Sequence, residues 1–121
     1  MSGVLSKYGE NPGSLVPAEV IPATMVPADD EAMITDFGAT VRDGGSASEI
    51  YLQLSRDGFV SDIRTKSFIE ITKSGTVFKS LEKGPVRVVG GESFRVMGVQ
   101  GVASKMTAEL FGQTQVNDIG D

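Results

Sequence analysis

Apolar and polar positions alternate through the middle of the chain with a period of two, the signature of half-buried strands. EIYLQL (49–54) mixes aromatic and branched residues. SFIEIT (67–72) places Ile69 and Ile71 on one face and Phe68, Glu70 and Thr72 on the other. TVFKSL (76–81) follows after Lys73-Ser74-Gly75, a short loop with glycine where a left-handed residue is wanted, and this spacing predicts a hairpin. Glu82-Lys83-Gly84-Pro85 turns the chain into PVRVV (85–89), and Gly90-Gly91 turns it again into ESFRVMGV (92–99). Asp57-Gly58 marks a further turn, and VASKMTAELF (102–111) reads as a last strand or a short helix. Strands at such spacing, with turns between them and no strand–helix–strand alternation, predict an all-β fold, a small antiparallel sandwich or barrel.

The N-terminal third follows another rule. SLVPAEVIPATMVPADD (14–30) contains three near-copies of one pentad, VPAEV, IPATM and VPADD. Proline at 12, 17, 22 and 27 forbids a helix and biases the residues before each proline toward extended backbone. Proline also bars this segment from the centre of a sheet. The expected organisation is an extended arm over 1–31, a β domain over 32–112 and a polar, frayed tail over 113–121.

The arm is too apolar for a flexible linker. Leu15, Val16, Pro17, Val20, Ile21, Pro22, Met25, Val26 and Pro27 give it an apolar step every five residues, and they are the candidate partner-binding positions. Burying one such aliphatic side chain stabilises by roughly 1.5–3 kcal/mol, and proline reduces the entropy lost on docking. A polyproline-like segment over 12–30 would span roughly 60 Å, about twice the roughly 30 Å width of a compact 32–112 body. The expectation is therefore a strap that reaches a neighbouring subunit, with the β body folding without it.

Composition narrows the chemistry. At 121 residues the chain is one domain by length. It has no cysteine and no histidine, which removes thiolate and imidazole metal ligands, disulfides and the commonest general base. No apolar run reaches the roughly 20 residues of a membrane helix, and MSGVLSKYGENPG lacks the apolar core of a secretory signal. The net charge is −5, unevenly spread. Residues 1–47 set Lys7 and Arg42 against seven acidic side chains, while 48–105 carry nine basic and six acidic ones. That balance speaks against membrane and nucleic-acid partners, the latter needing a concentrated basic stripe.

Each motif with possible chemistry has a plainer reading. Ser80-Leu81-Glu82-Lys83 matches S-x-x-K, but that mechanism needs serine and lysine one helical turn apart, and this stretch runs from a strand into a Gly-Pro turn. Asp29-Asp30-Glu31 with Asp36 could meet a calcium ion, yet the glycine-bearing loop spacing is missing, so a solvated acidic junction is preferred. Val89-Gly90-Gly91-Glu92 and Gly98-Val99-Gln100-Gly101 read as turns, since neither opens a helix or supplies a lysine. Asp57, Asp62, Glu70 and Glu82 could meet as an acid/base pair, though nothing in their spacing requires it. No catalytic residue, cofactor or metal is assigned, and a non-enzyme is expected.

The layout, with its pentads, prolines at 12, 17, 22 and 27, and small β body without cysteine or histidine, resembles the minor virion proteins of tailed bacteriophages, most closely capsid decoration (cement) proteins. The resemblance implies a structural virion protein that straps major capsid or other virion subunits through its arm, as a homo-oligomer with a trimer favoured. It implies residence in the virion after synthesis in the host bacterial cytoplasm. Neck, tail and head-completion proteins share the profile. A soluble β-barrel module for a small ligand or peptide is the alternative from another class, with Tyr51, Phe59, Phe68, Phe78, Phe94 and Phe111 as the aromatic supply.

Overall fold

The computed structural model describes residues 2–43, 47–81 and 83–116. Glu82 and the tail from Asn117 onward lie outside the described residues. Among the described residues nine strands follow one another: β1 (Ser2–Asn11), β2 (Ala18–Met25), β3 (Asp30–Val41), β4 (Ala47–Ser55), β5 (Arg64–Thr72), β6 (Gly75–Ser80), β7 (Val86–Val89), β8 (Ser93–Val99) and β9 (Met106–Val116). No helix is present among the described residues. The strands form two antiparallel sheets packed as a sandwich, the all-β architecture that the alternation predicts. The first sheet has the order β1-β9-β3-β6, with β7 also against β3; the second has the order β2-β8-β4-β5.

The core lies between the inner faces. Ile34, Phe37, Val41, Val88, Met106 and Leu110 come from the first sheet, and Ile21, Ile50, Leu52, Leu54, Phe94 and Val96 from the second, all buried. In β5, Ile69 and Ile71 point inward while Phe68, Glu70 and Thr72 stay exposed, as the alternation requires.

The long central strand β3 breaks its own alternation. Ala32 and Ile34 point inward, then the register shifts between Ile34 and Asp36, and Phe37, Ala39 and Val41 take over the inner face. The bulge fits because Gly112 has no side chain: a Cβ there would lie 1.9 Å from the Met33 carbonyl oxygen.

The predicted hairpin at Lys73-Ser74-Gly75 is a corner instead. β5 pairs with β4 and β6 pairs with β3, so Lys73 (φ 62°) and Gly75 (φ 139°) carry the chain from one sheet to the other. Gly90-Gly91 does the same between β7 and β8. The glycines bend the chain as expected. The partners differ because inward-facing Ile69 and Ile71 already commit β5 to the second sheet.

The N-terminal third is extended, as its prolines demand, but it is not an arm separate from the body. Residues 2–11 pair with β9 and residues 18–25 with β8, and β3 starts at Asp30. The expected boundary at residue 31 therefore falls inside a strand. Likewise the expected tail starts inside β9, which runs to Val116. The proline constraint is met by position: β2, which contains Pro22, is an edge strand whose register shifts on both sides of Ile21. Wrapping its own body buries apolar surface within the same chain, with no association entropy to overcome.

Candidate interaction surfaces

The nine proposed arm residues divide into two sets. Val20, Ile21 and Val26 are core, with exposures of 2%, 1% and 5%, and cannot reach a partner while the sandwich is folded. Leu15, Val16 and Met25 are exposed, as are Pro17, Pro22 and Pro27. Val26 is tied down on both backbone groups: its N–H donates to the Glu92 carbonyl (2.8 Å) and its carbonyl accepts from the Gly91 N–H (2.8 Å).

Leu15 and Val16 sit on the loop that joins β1 to β2, at one end of the sandwich. This loop is held rather than loose. Gln100 N–H donates to the Ser14 carbonyl (2.9 Å), and the Gln100 side-chain oxygen accepts from the Ser14 N–H (3.2 Å). Asn11 caps Gly13 N–H (2.8 Å), and Gly13, at φ 120°, presses against the backbone of Ala103 and Ser104. The β8–β9 loop therefore shares this end, and it brings Val102. Leu15, Val16 and Val102 are 62%, 65% and 53% exposed. Three aliphatic side chains thus stand in solvent on braced loops.

A second apolar surface follows the β5–β6 side. Phe78 lies over Gly38 and stacks on Phe111 with ring centroids 6.3 Å apart. Nearby Phe68 carries the Lys79 ammonium over its ring, 5.8 Å from the centroid. Every residue of β6 is exposed.

Between the start of β1 and the end of β2 a cleft of about 240 Å³ opens. Leu5, Val26, Ala32 and Phe94 line it with apolar groups, and Lys7 and Asp30 bring one charge of each sign.

The opposite loops carry polar networks. Asp57 accepts bonds from the Ser55 and Ser61 hydroxyls and from the backbone N–H groups of Val60, Ser61 and Asp62. The Ser61 hydroxyl contributes most to holding its carboxyl well below the usual carboxylate range. Beside this loop, Phe59 (φ 65°) lies under the Arg95 guanidinium at 4.0 Å. Glu92 is buried yet charged: Arg64 donates to it, the Val89 N–H donates at 3.0 Å, and Arg56 lies 3.5 Å away. Burial alone would raise its carboxyl, but these donors and the arginine charges outweigh it and hold the group below its ordinary value.

These networks brace loops, while the carboxylate that lines the cleft, Asp30, stands there with Lys7. The Asp62 backbone N–H donates to the Asp57 carboxylate (3.1 Å), the Asp62 carboxylate accepts from the Arg56 N–H (2.7 Å), and Glu31 pairs with Arg87 (2.7 Å) across β3 and β7. Among the described residues no three carboxylates converge on a metal-sized site. Ser80 ends a strand, so Ser80 and Lys83 are not set on one face of a helix. Gly90 packs against the Ala28 carbonyl, where a Cβ would come within 2.2 Å, and Gly91 (φ 88°) completes the turn.

No protein-family model matches the chain, and no curated protein matches its sequence. Solved structures do share the architecture. They include murine APRIL (10% identity, covering 93% of this chain and 99% of that chain, TM-score 0.60). The Eiger TNF of S. frugiperda aligns over 98% of this chain and 96% of its own at 10% identity, TM-score 0.56. A protein of the disulfide-linked pili that form Bacillus endospore appendages aligns over 95% and 87% at 15% identity, TM-score 0.51. At such identities the likeness is one of fold: an antiparallel β-sandwich.

Proposed function

We propose that this chain is a non-enzymatic structural subunit of a virion, of the capsid-decoration type, that docks on other virion subunits through the end carrying Leu15, Val16 and Val102. The observation that carries this reading is the exposure of these three aliphatic side chains on loops fixed by Gln100 and Asn11. Pre-fixed loops lose little entropy on docking, so their apolar tips convert into binding. The strap role of the pentads is replaced by a tip. Of the pentad residues, Val20, Ile21 and Val26 serve the subunit's own core, while Val16 and its neighbour Leu15 remain available. The net charge of −5 suits a subunit kept apart from packaged DNA. With no cysteine in the chain, its contacts would be non-covalent.

The test is co-sedimentation. Particles purified by density gradient from the source that encodes the chain should carry it at fixed stoichiometry. The double variant Leu15→Asp, Val16→Asp should fold normally and be lost from the particle fraction. Absence of the wild-type chain from particles, or full occupancy by the double variant, would overturn the reading.

The cleft beside Leu5 and Val26 favours a second reading, a binding module for a small elongated apolar ligand or peptide. Saturable binding of a fatty acid by the purified chain, lost on Leu5→Trp, would support it; no uptake would exclude that ligand class.

A further inference from the structure

The sandwich has four free sides of sheet, and they are not equivalent. In the second sheet both edges are guarded. β2 contains Pro22 and two register breaks. β5 has a register shift beside Lys66, and the carbonyl of its Phe68 is taken by the Lys79 ammonium at 3.3 Å. Proline, bulges and lysines are the devices that keep an edge from accepting another strand.

In the first sheet β1 and β6 are the end strands, and among the described residues neither has a strand ladder on its outer side. β1 runs ten residues in unbroken register with β9, without proline, and β6 runs six in unbroken register with β3. Each presents apolar groups to solvent. Val4 and Tyr8 on β1 are 85% and 56% exposed, and Val77 and Phe78 on β6 are 38% and 53% exposed.

The two sides also carry opposite charge. With Arg64 paired to Glu92, residues 64–80 hold Lys66, Lys73 and Lys79 against Glu70, a net of +2. With Glu10 paired to Lys105, residues 2–30 hold Lys7 against Glu19, Asp29 and Asp30, a net of −2. A face that met its own copy would set like charges together, whereas unlike faces attract.

We propose that copies of this chain associate head to tail, the β6 edge of one copy adding to the β1 edge of the next so that the first sheet continues from subunit to subunit. The occupant of each edge is a second copy of the same chain. Strand addition supplies backbone hydrogen bonds, while Phe78, on the same outer face of the sheet as Val4 and Tyr8, supplies side-chain contact with them. A contact of this kind uses two different surfaces on each copy, so it closes into a ring or continues as a file. The inference is independent of the docking tip, which lies at the end of the sandwich and not along its sides.

The test is the mass of the full chain in solution by sedimentation velocity, with no particles present, over a range of concentration and salt. The wild type should exceed its single-chain mass of 12.8 kDa as concentration rises, and added salt should weaken the association at least several-fold. Val4→Lys and Val77→Lys should each stay monomeric on their own, with association weakened at least tenfold, because every contact needs one edge of each kind. Because each variant keeps one intact edge, an equal mixture of the two should give a dimer and stop there. Thermal unfolding midpoints matching the wild type would show that both variants are folded. A wild type monomeric at every concentration would overturn the proposal. So would assembly sensitive to one substitution only, which marks a like-with-like contact. Either failure leaves the particle co-sedimentation result standing, and loss of particle binding leaves this one standing.

Discussion

Glu92 is 5% exposed and ionised, and its surroundings explain why. It accepts from Arg64 and from the Val89 N–H, which ties the β4–β5 loop to the corner between β7 and β8. Replacing Glu92 by Gln should cost about 1.5–3 kcal/mol at pH 7, the range for hydrogen bonds to a charged group. The carboxyl is held below its ordinary value in the folded chain, so its contribution is complete above the unfolded carboxylate pKa, about 4.3. Below that pH the unfolded chain takes up the proton first, and the contribution fades as pH falls through the folded value. Urea unfolding of both proteins from pH 7 to pH 3 should therefore show curves that converge toward acid. Nothing in the sequence flags this residue, because Arg64 is 28 positions away and the local pattern, Gly90-Gly91-Glu92, reads as a turn. Tyr51 gives a second reading at this scale. Its hydroxyl donates to Glu49, and that bond together with burial pushes its pKa up to about 12. Absorbance titration near 295 nm should show this late step, and Glu49→Gln should move it back toward 10.0, the ordinary value of a tyrosine hydroxyl.

At the scale of the element, alternation carried the strands whose neighbours are regular. β4 from Ser48 to Leu54 and β5 from Phe68 to Thr72 keep in–out order, and their buried faces were legible from Ile50, Leu52, Ile69 and Ile71. β3 was not, since AMITDFGATV holds two alternating halves out of phase and the bulge that joins them depends on Gly112, some 76 positions from Asp36 by subtraction of their numbers. The corners at Lys73–Gly75 and Gly90–Gly91 were legible as turns but not as crossings, because a turn signal fixes where the chain bends and not which sheet receives it. Gly9 gives this scale its test. It lies where β1 meets β2, and a Cβ there would stand 1.9 Å from the Val20 carbonyl oxygen. Backbone cannot yield as a side chain does, so Gly9→Ala should force the two strands apart at a cost of about 1–3 kcal/mol. Chemical denaturation measures that loss, and hydrogen exchange should locate it in β1 and β2. An unchanged midpoint would mean that the strands separate freely.

At the scale of the whole molecule, the decisive matter is where the N-terminal third belongs. Proline spacing told correctly that it is extended and that Pro22 needs an edge. It could not tell whose sheet the segment joins, because apolar residues every five positions serve a neighbour's groove and the chain's own core equally well. Length also misled: a span of roughly 60 Å was set against a body that excluded the segment, whereas the segment folds back at residues 12–17 and forms part of that body. The consequence is sharp. Removing residues 1–31 would take away β1 and β2 and, with them, Leu5, Val20, Ile21 and Val26, all within 6% exposure. It would also strip the partner from one side of β9 and of β8, leaving two interior strands as new edges. Four buried aliphatic residues at roughly 1.5–3 kcal/mol each, about 6–12 kcal/mol together, are comparable with the whole stability of a typical domain, about 5–15 kcal/mol. The chain 32–121 should therefore lack dispersed amide signals in a ¹H–¹⁵N spectrum and show no cooperative thermal transition. A truncated chain with native dispersion would return the N-terminal third to the status of a detachable arm, and Val20, Ile21 and Val26 would again be free to bind a neighbour.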